Sequence, residues 1–261
     1  MISSYIKTSI KTGLLLSALA ILSACSSSSS SSSDATRVEI TAAPLPANAA
    51  MMPADSKTFT NTEAVSITLD KAYLVISSVV IETECGASFS AALEGLFNIV
   101  IPVAHAHTEP SPTTTGIPYV IDLLAVDGGD INIGELSPPT GDYCGADIFM
   151  ESADADAENL PTGTDDPDMV GKTIYVKGTY KVTPMATPVD FTISSGINLI
   201  NRELLLSALV MIDKDNSDGT VNLAINYDTW FDTVDMALLA TGNADELDAA
   251  LQNVTSSIVQ R

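Results

Sequence analysis

Apolar and polar side chains alternate along the chain beyond residue 36. Val38 and Ile40 flank a glutamate, and Val65, Ile67 and Leu69 are each separated by one polar residue. A period of two is typical of a β-strand that buries one face and exposes the other. The pattern therefore predicts a β-protein.

Longer apolar runs, rich in valine, isoleucine and tyrosine, predict interior strands. Three of them cover residues 72–81, 97–103 and 119–126, and further strands are predicted at residues 131–133, 143–150, 173–180, 189–194, 204–212 and 220–227. Turn-forming residues separate these segments, as in Gly128-Gly129 and Pro138-Pro139. Short strands without intervening helices predict an antiparallel β-sandwich.

The period changes near the end of the chain. Asn243 and Glu246 have the spacing of a helix N-cap and its reciprocal acid, and one helical face follows at Leu247, Leu251, Val254 and Ile258. A shorter helix is predicted over residues 228–239. The expected body is one β-sandwich domain, residues 37–261, with a C-terminal α-helix.

The first residues have the layout of an export signal. Lys7 and Lys11 precede an uncharged stretch, residues 13–24, which is too short to span a bilayer. Leu22-Ser23-Ala24-Cys25 follows, and this pattern resembles a bacterial lipobox. The resemblance implies that residues 1–24 are a cleaved lipoprotein signal peptide and that Cys25 carries a diacylglycerol and an N-acyl chain such as palmitate. An ordinary secretory signal is the alternative.

Eight serines follow Cys25, and together with the next residues they predict a flexible tether over residues 25–36. Because Ser26 stands where an aspartate favours inner-membrane retention, the resemblance implies attachment to the outer membrane, facing either the periplasm or the cell surface.

The chain is strongly acidic, with 33 acidic and 11 basic residues and a net charge of −22. This balance, without any cluster of lysines and arginines, argues against nucleic acid as a partner. It favours solubility and attracts cations. Once Cys25 is acylated, Cys85 and Cys144 form an even pair in an oxidising compartment, which predicts a disulfide. A loop of this size gives about 4 kcal/mol in the chain-entropy estimate.

The two histidines of the chain, His105 and His107, stand two residues apart after an apolar run. In an extended backbone such residues share a face, so both imidazoles can bind one copper or zinc ion. A complete site needs further donors. The candidates are Glu109, an acidic loop residue, a methionine for copper(I), or unpaired Cys85 and Cys144. The alternative is a solvated loop whose histidines bind nothing.

Three short segments, Ala-Tyr-Leu at 72–74, Asp-Leu-Leu at 122–124 and Gly-Asp-Tyr at 141–143, resemble methanobactin-associated copper-binding lipoproteins and other lipoprotein β-domains. In those copper-binding proteins an oxidised tryptophan joins histidines at the metal. Trp230 is the one tryptophan here, but the tryptophan-rich motif of that family is absent, so we predict that Trp230 packs in the core.

Two acidic segments are weaker cation candidates. Residues 213–219 alternate oxygen donors like a calcium loop, but the glycine is one place late and Ala224 stands where a bidentate glutamate is needed. A hairpin loop explains the same residues. Residues 151–168 hold seven acids and no base, which fits either calcium collection or a solvated loop.

The common hydrolase and phosphate-binding motifs do not occur in the chain. We therefore expect a non-enzymatic, membrane-anchored envelope protein that binds a copper or zinc ion through His105 and His107. The competing interpretation is a structural or adhesin-like surface lipoprotein that holds a protein or glycan partner. A hydrolase built on paired carboxylates is the third interpretation.

Overall fold

Strands dominate the part of the chain that the computed structural model describes, which is residues 35–85, 111–184 and 186–261. Of the described residues 44% are strand and 10% are helical, and they form several antiparallel sheets and a short C-terminal helix. This confirms the prediction of a mainly β fold of the sandwich class. The predicted strand at residues 97–103 lies outside the described residues.

The described strands are β1 (Arg37–Pro44), β2 (Lys57–Thr60), β3 (Ser66–Ile76), β4 (Ser78–Glu82), β5 (Tyr119–Asp122), β6 (Ile131–Leu136), β7 (Gly141–Phe149), β8 (Ile174–Lys181), β9 (Val189–Ser195), β10 (Arg202–Ile212), β11 (Asp218–Ile225) and β12 (Ile258–Gln260). The described helices are a 3₁₀ turn (Tyr227–Thr229), α1 (Met236–Ala240) and α2 (Ala244–Ser256).

The described strands form three sheets. Their orders are β12-β11-β1-β6, β2-β3-β8-β9 with β5 also pairing with β3, and β10-β7-β4. All ladders are antiparallel except that between β1 and β11, which runs in parallel from Arg37 opposite Asp218 to Pro44 opposite Ile225. The local sequence pattern did not predict this parallel pair, because 180 residues of intervening chain decide which strands meet.

The apolar run at residues 72–81 is two strands rather than the single strand predicted. The break is at Ser77, whose backbone N–H donates to the Phe149 carbonyl over 2.8 Å and whose hydroxyl donates to the same oxygen over 3.1 Å. The chain passes there from the five-stranded sheet to the three-stranded sheet. The side chains at residues 72–81 are buried almost throughout on both sides of this break, so hydrophobicity does not mark the change of sheet.

The main core gathers apolar side chains from all three sheets and from α2, with Val38, Ile67, Ile148 and Leu251 as examples. Aromatic rings also pack against one another in this core. The ring centroids of Phe59 and Tyr227 lie 5.8 Å apart. Burial of apolar surface on this scale is the main stabilising contribution to such a fold.

Helix α2 begins as predicted. The Asn243 side-chain oxygen accepts hydrogen bonds from the backbone N–H groups of Asp245 and Glu246, at 3.0 and 3.1 Å. The predicted reciprocal bond is wrong, because the Glu246 carboxylate instead accepts the Asp235 N–H over 2.8 Å. That bond ties the start of α1 to the first turn of α2.

The helix predicted over residues 228–239 is interrupted. The 3₁₀ turn ends at Thr229, Thr233 has a φ of 61°, and α1 starts anew after the N-cap Asp235. A β-branched residue is strained in this left-handed region, which a continuous helix excludes. The interruption allows Tyr227 and Phe231 to point into the core.

Candidate functional site

Most of the predicted site residues lie outside the described part of the chain. These are the lipidation residue Cys25 and the metal candidates His105, His107 and Glu109. The structure describes the chain on both sides of the histidine segment, at residues 85 and 111. It therefore shows where the described chain stops before this segment and where it resumes after it.

Cys85 and Cys144 form a disulfide, which confirms the predicted pairing. Their Cα atoms are 5.8 Å apart, and the bond joins residues separated by 59 positions. Cys144 belongs to β7, and Cys85 follows β4, the strand that pairs with β7. As a disulfide neither sulfur is a thiolate, so the alternative in which unpaired Cys85 and Cys144 bind the metal is wrong for this state.

The return of the chain at Ser111 is also fixed against β4. The Ile81 N–H donates to the Thr113 carbonyl, and the Thr115 N–H donates to the Val79 carbonyl, both over 3.0 Å. The Thr115 hydroxyl oxygen accepts the Val79 N–H over 2.8 Å. The described residues on the two sides of the histidine segment therefore lie beside the same strand, β4.

Three carboxylates lie on the outward side of this three-stranded sheet, and we call them the carboxylate face: Glu82 on β4, Asp147 on β7 and Glu203 on β10. Glu203 stands directly opposite Asp147 in the ladder, and Glu82 stands opposite Gly145. A Cβ placed on Gly145 would lie 3.2 Å from the Cys85 sulfur and 3.8 Å from the Glu82 Cβ. The carboxylate face and the disulfide therefore adjoin.

The carboxylate face changes the acidity of its central member. Burial, followed by the negative charges of Glu82 and Glu203 and a hydrogen bond with Glu82, raises the pKa of Asp147 to about 6. A nearby cation would reverse this effect, because it stabilises the ionised carboxylate. The described residues contain no group of three or more His, Cys, Asp and Glu side chains arranged to hold a metal. The carboxylate face is thus not by itself a metal site.

In the acidic turn at residues 213–219, backbone N–H groups already bind the first carboxylate. Asp213 Oδ1 accepts the N–H groups of Asp215 and Asn216, at 2.7 and 2.9 Å. The hairpin interpretation is wrong in one respect, since β10 and β11 belong to different sheets. The turn carries the chain from one sheet to another.

The acidic segment at residues 151–168 is anchored to the body. Asp166 contacts the Lys71 ammonium and accepts the Gly163 N–H over 2.9 Å. The Lys71 hydrogen bond lowers the pKa of Asp166. A second apolar cluster lies beneath this segment and contains Tyr73, Val75, Val120, Ala153, Ala157 and Met169. Ionic and apolar contacts both hold the segment, which differs from a simple solvated loop.

Trp230 packs in the core, as predicted. Its side chain is 1% exposed, and its indole N–H donates to the Ser257 hydroxyl over 2.9 Å.

Sequence reasoning missed a fully buried polar network. The Lys57 ammonium contacts Asp127 Oδ1, and neither side chain is exposed to solvent. Lys57 also donates to the Ala125 carbonyl over 2.5 Å, while Asp127 Oδ2 accepts the Met52 N–H and the Tyr227 hydroxyl, at 2.6 and 2.8 Å. The signal was present: in the alternating stretch of β2, Lys57 has the same parity as the buried Phe59.

Asp228, next to Tyr227, binds the backbone of the segment that precedes Met52. Its carboxylate accepts the N–H groups of Ala47, Asn48 and Ala49 over 2.7–2.9 Å. Together with the Asp127–Met52 bond, these contacts hold residues 47–52 against Asp127 and Asp228.

A shallow pocket of about 480 Å³ lies at the start of β1, lined by Arg37, Glu39 and Asp218 among others. Arg37 is already paired with Glu135 over 2.7 Å. This pairing leaves the pocket with acidic side chains and no free guanidinium to recognise an anion.

No protein-family model matches the chain, and no curated protein or solved structure is similar to it at a significant level. None of the described helices is long and apolar enough to cross a bilayer.

Proposed function

We propose that this protein is an envelope lipoprotein, held at the outer membrane by acylated Cys25, that binds a copper or zinc ion through His105 and His107. Its role is binding rather than catalysis. The supporting observation is that the segment with both histidines starts and ends beside a sheet bearing the carboxylate face.

Covalent geometry limits how far the histidines can lie from that surface. His105 is six residues before Ser111, and a fully extended chain spans about 3.3–3.6 Å per residue. The Cα atom of His105 is therefore at most about 22 Å from that of Ser111. Glu109, the predicted oxygen ligand, is two residues before Ser111 in the chain.

The carboxylate face supports the proposal electrostatically. Three acids on neighbouring strands create a negative potential. Burial raises the pKa of Asp147 most, and the charges of Glu82 and Glu203 raise it further. A divalent cation held nearby relieves the repulsion. The disulfide fixes the sheet on which these acids stand, so the potential persists in the absence of metal.

Metal binding is tested by equilibrium dialysis of the untagged protein against Zn²⁺ and, separately, Cu²⁺, with metal measured per chain. We expect one tightly held ion in the wild type and none in a His105→Ala, His107→Ala variant. Asp147→Asn should weaken binding by less than the double variant does. Asp213→Asn is the matched control, because it removes a negative charge from a turn far along the chain from the histidines.

The control separates a site from general acidity. A chain with a net charge of −22 collects cations weakly at many places. Unchanged tight stoichiometry in the double histidine variant would reject the histidine site.

Membrane attachment has its own test. Mass spectrometry of the mature N-terminal peptide should find a thioether-linked diacylglycerol and an N-acyl group on Cys25. Cys25→Ser should release the protein from the membrane fraction, because several acyl chains hold a protein far more firmly than a peptide tether does. An unmodified Cys25 in a membrane-bound wild type would contradict the anchor.

A structural or adhesin-like role is the second candidate, and exposed apolar side chains favour it. Strand β10 ends one sheet, and along and before it several large apolar residues are more than half exposed: Ile197, Ile200, Leu205, Leu209 and Met211. A photo-crosslinker at position 205 should then capture a defined envelope protein or glycan, whereas one at Val182, which is also more than half exposed, should not. Equal labelling at both positions would reject this candidate.

A further inference from the structure

The buried pair Lys57–Asp127 has the surroundings of a reactive site rather than those of an ordinary ion pair. Both side chains are completely buried, and the Lys57 ammonium contacts Asp127 Oδ1 directly. Aromatic rings line the position: the Lys57 nitrogen is 5.1 Å from the centre of the Tyr227 ring, which packs against Phe59. Burial of two full charges in such a place is costly.

We infer that Lys57 and Asp127 condense to an intramolecular amide that links β2 covalently to the loop after β5. The bond that forms joins Lys57 Nζ to Asp127 Cγ. The bond that breaks is Cγ–Oδ1, and the oxygen leaves as water. No oxidant, reductant or further reactant is required.

Proton balance follows from the contact between the two groups. The ammonium passes one proton to Oδ1, which gives a neutral amine and a neutral carboxylic acid. The amine lone pair attacks Cγ. The nitrogen then loses a second proton to the Oδ1 hydroxyl, so that water departs and a neutral amide remains.

The second carboxylate oxygen is prepared for the charge that develops during the attack. Asp127 Oδ2 receives the Met52 backbone N–H and the Tyr227 hydroxyl, at 2.6 and 2.8 Å. Two donors aimed at one oxygen stabilise a tetrahedral oxyanion. Burial raises the pKa of Tyr227, and its hydrogen bond to Asp127 adds to this effect, so the phenol keeps the proton that it donates.

The position of the amine is equally restricted. The Ala125 carbonyl accepts a hydrogen bond from Lys57 over 2.5 Å, which fixes the nitrogen beside the carboxyl group. Holding two reacting groups together in this way replaces a bimolecular encounter by an intramolecular step with a very high effective concentration. Two further carboxylates interact electrostatically with the network: Asp122 with Lys57, and Asp228 with Tyr227.

The experiment compares intact masses of the full chain with those of variants produced in the same way. We expect the mass of the wild type to be one water molecule below the mass calculated from its sequence after the processing that it shares with the variants. Lys57→Arg and Asp127→Ala should both have the full mass. Lys71→Arg is the matched control: Lys71 also contacts an aspartate, but that pair is partly exposed, so this variant should still lack the water.

Peptide mapping decides the matter even if the Lys57 variants fail to accumulate. Digestion of the wild type should yield a branched peptide that contains both Lys57 and Asp127, with no tryptic cleavage after Lys57. A wild type of full mass, linear peptides cleaved at Lys57, or a water loss that persists in Lys57→Arg would each overturn the inference. The first two results would establish a non-covalent ion pair.

Discussion

Glu203 and Asp147 stand directly opposite each other on the neighbouring strands β10 and β7. Like charges in this relation repel, and a sheet normally avoids them. Here Glu82 on β4 adds a third carboxylate to the same face. The arrangement lowers stability at neutral pH unless a cation is present, which gives the first prediction.

Stability should fall as the pH rises from about 4 to about 6. The pKa of Asp147 is raised in the folded state, so the folded protein binds more protons than the unfolded chain in this range. Because Asp147 is partly exposed, solvent screening limits the effect to about 1 kcal/mol. Urea unfolding at several pH values measures it. Asp147→Asn should remove this part of the pH dependence, whereas Asp142→Asn, at an exposed position, should not.

Loss of the disulfide should destabilise the body by about 4 kcal/mol in the chain-entropy estimate. The bond closes a long loop that includes residues 86–110, and it ties the end of β4 to β7. A Cys85→Ala, Cys144→Ala double variant, compared with the wild type in urea unfolding, measures the effect. Equal midpoints for the two proteins would show that the cross-link has no stabilising role.

Much of the strand pattern could be predicted from the sequence, because alternation directly reports which side chains face the core. It succeeded for β6 to β11, whose positions agree with the predictions to within a few residues. It failed at Ser77, where the apolar run continues through a change of sheet. It also gave no sign of the parallel pairing of β1 with β11, since pairing partners depend on contacts far apart in the chain.

The candidate site was less accessible to sequence reasoning. The disulfide followed from an even count of cysteines, but the carboxylate face depends on the register of three strands that are separated by many residues. Glu82, Asp147 and Glu203 have no recognisable spacing. Lys57 could have been placed inside from the parity of β2, whereas its partner Asp127 lies in a glycine-rich turn whose side-chain directions the sequence does not specify.

Trp230 provides a test that separates packing from a role at the metal. Trp230→Phe should reduce the free energy of unfolding by about 2 kcal/mol, because it leaves a cavity and removes the donor to Ser257. Tight metal stoichiometry should remain unchanged. In the wild type the single tryptophan should show the blue-shifted fluorescence of a buried indole. Loss of metal in the variant would instead assign Trp230 to the site.

The cap of α2 should contribute measurably to stability. Asn243→Ala removes the acceptor for two backbone N–H groups at the first turn, so we expect a loss of about 1 kcal/mol. Asn243→Asp should restore most of it, since aspartate is an equally good cap. Thermal unfolding of the three proteins provides the measurement, and an unchanged midpoint in Asn243→Ala would contradict the role of the cap.

The ligands of the bound ion decide whether His105 and His107 form the metal site. X-ray absorption at the metal edge, recorded on untagged protein loaded with one equivalent of zinc or copper, reports which atoms surround the metal. If His105 and His107 bind the ion, the spectrum should show imidazole scattering from two histidines together with oxygen. A shell of oxygen alone, without imidazole, would contradict it and assign the metal to the acidic surface.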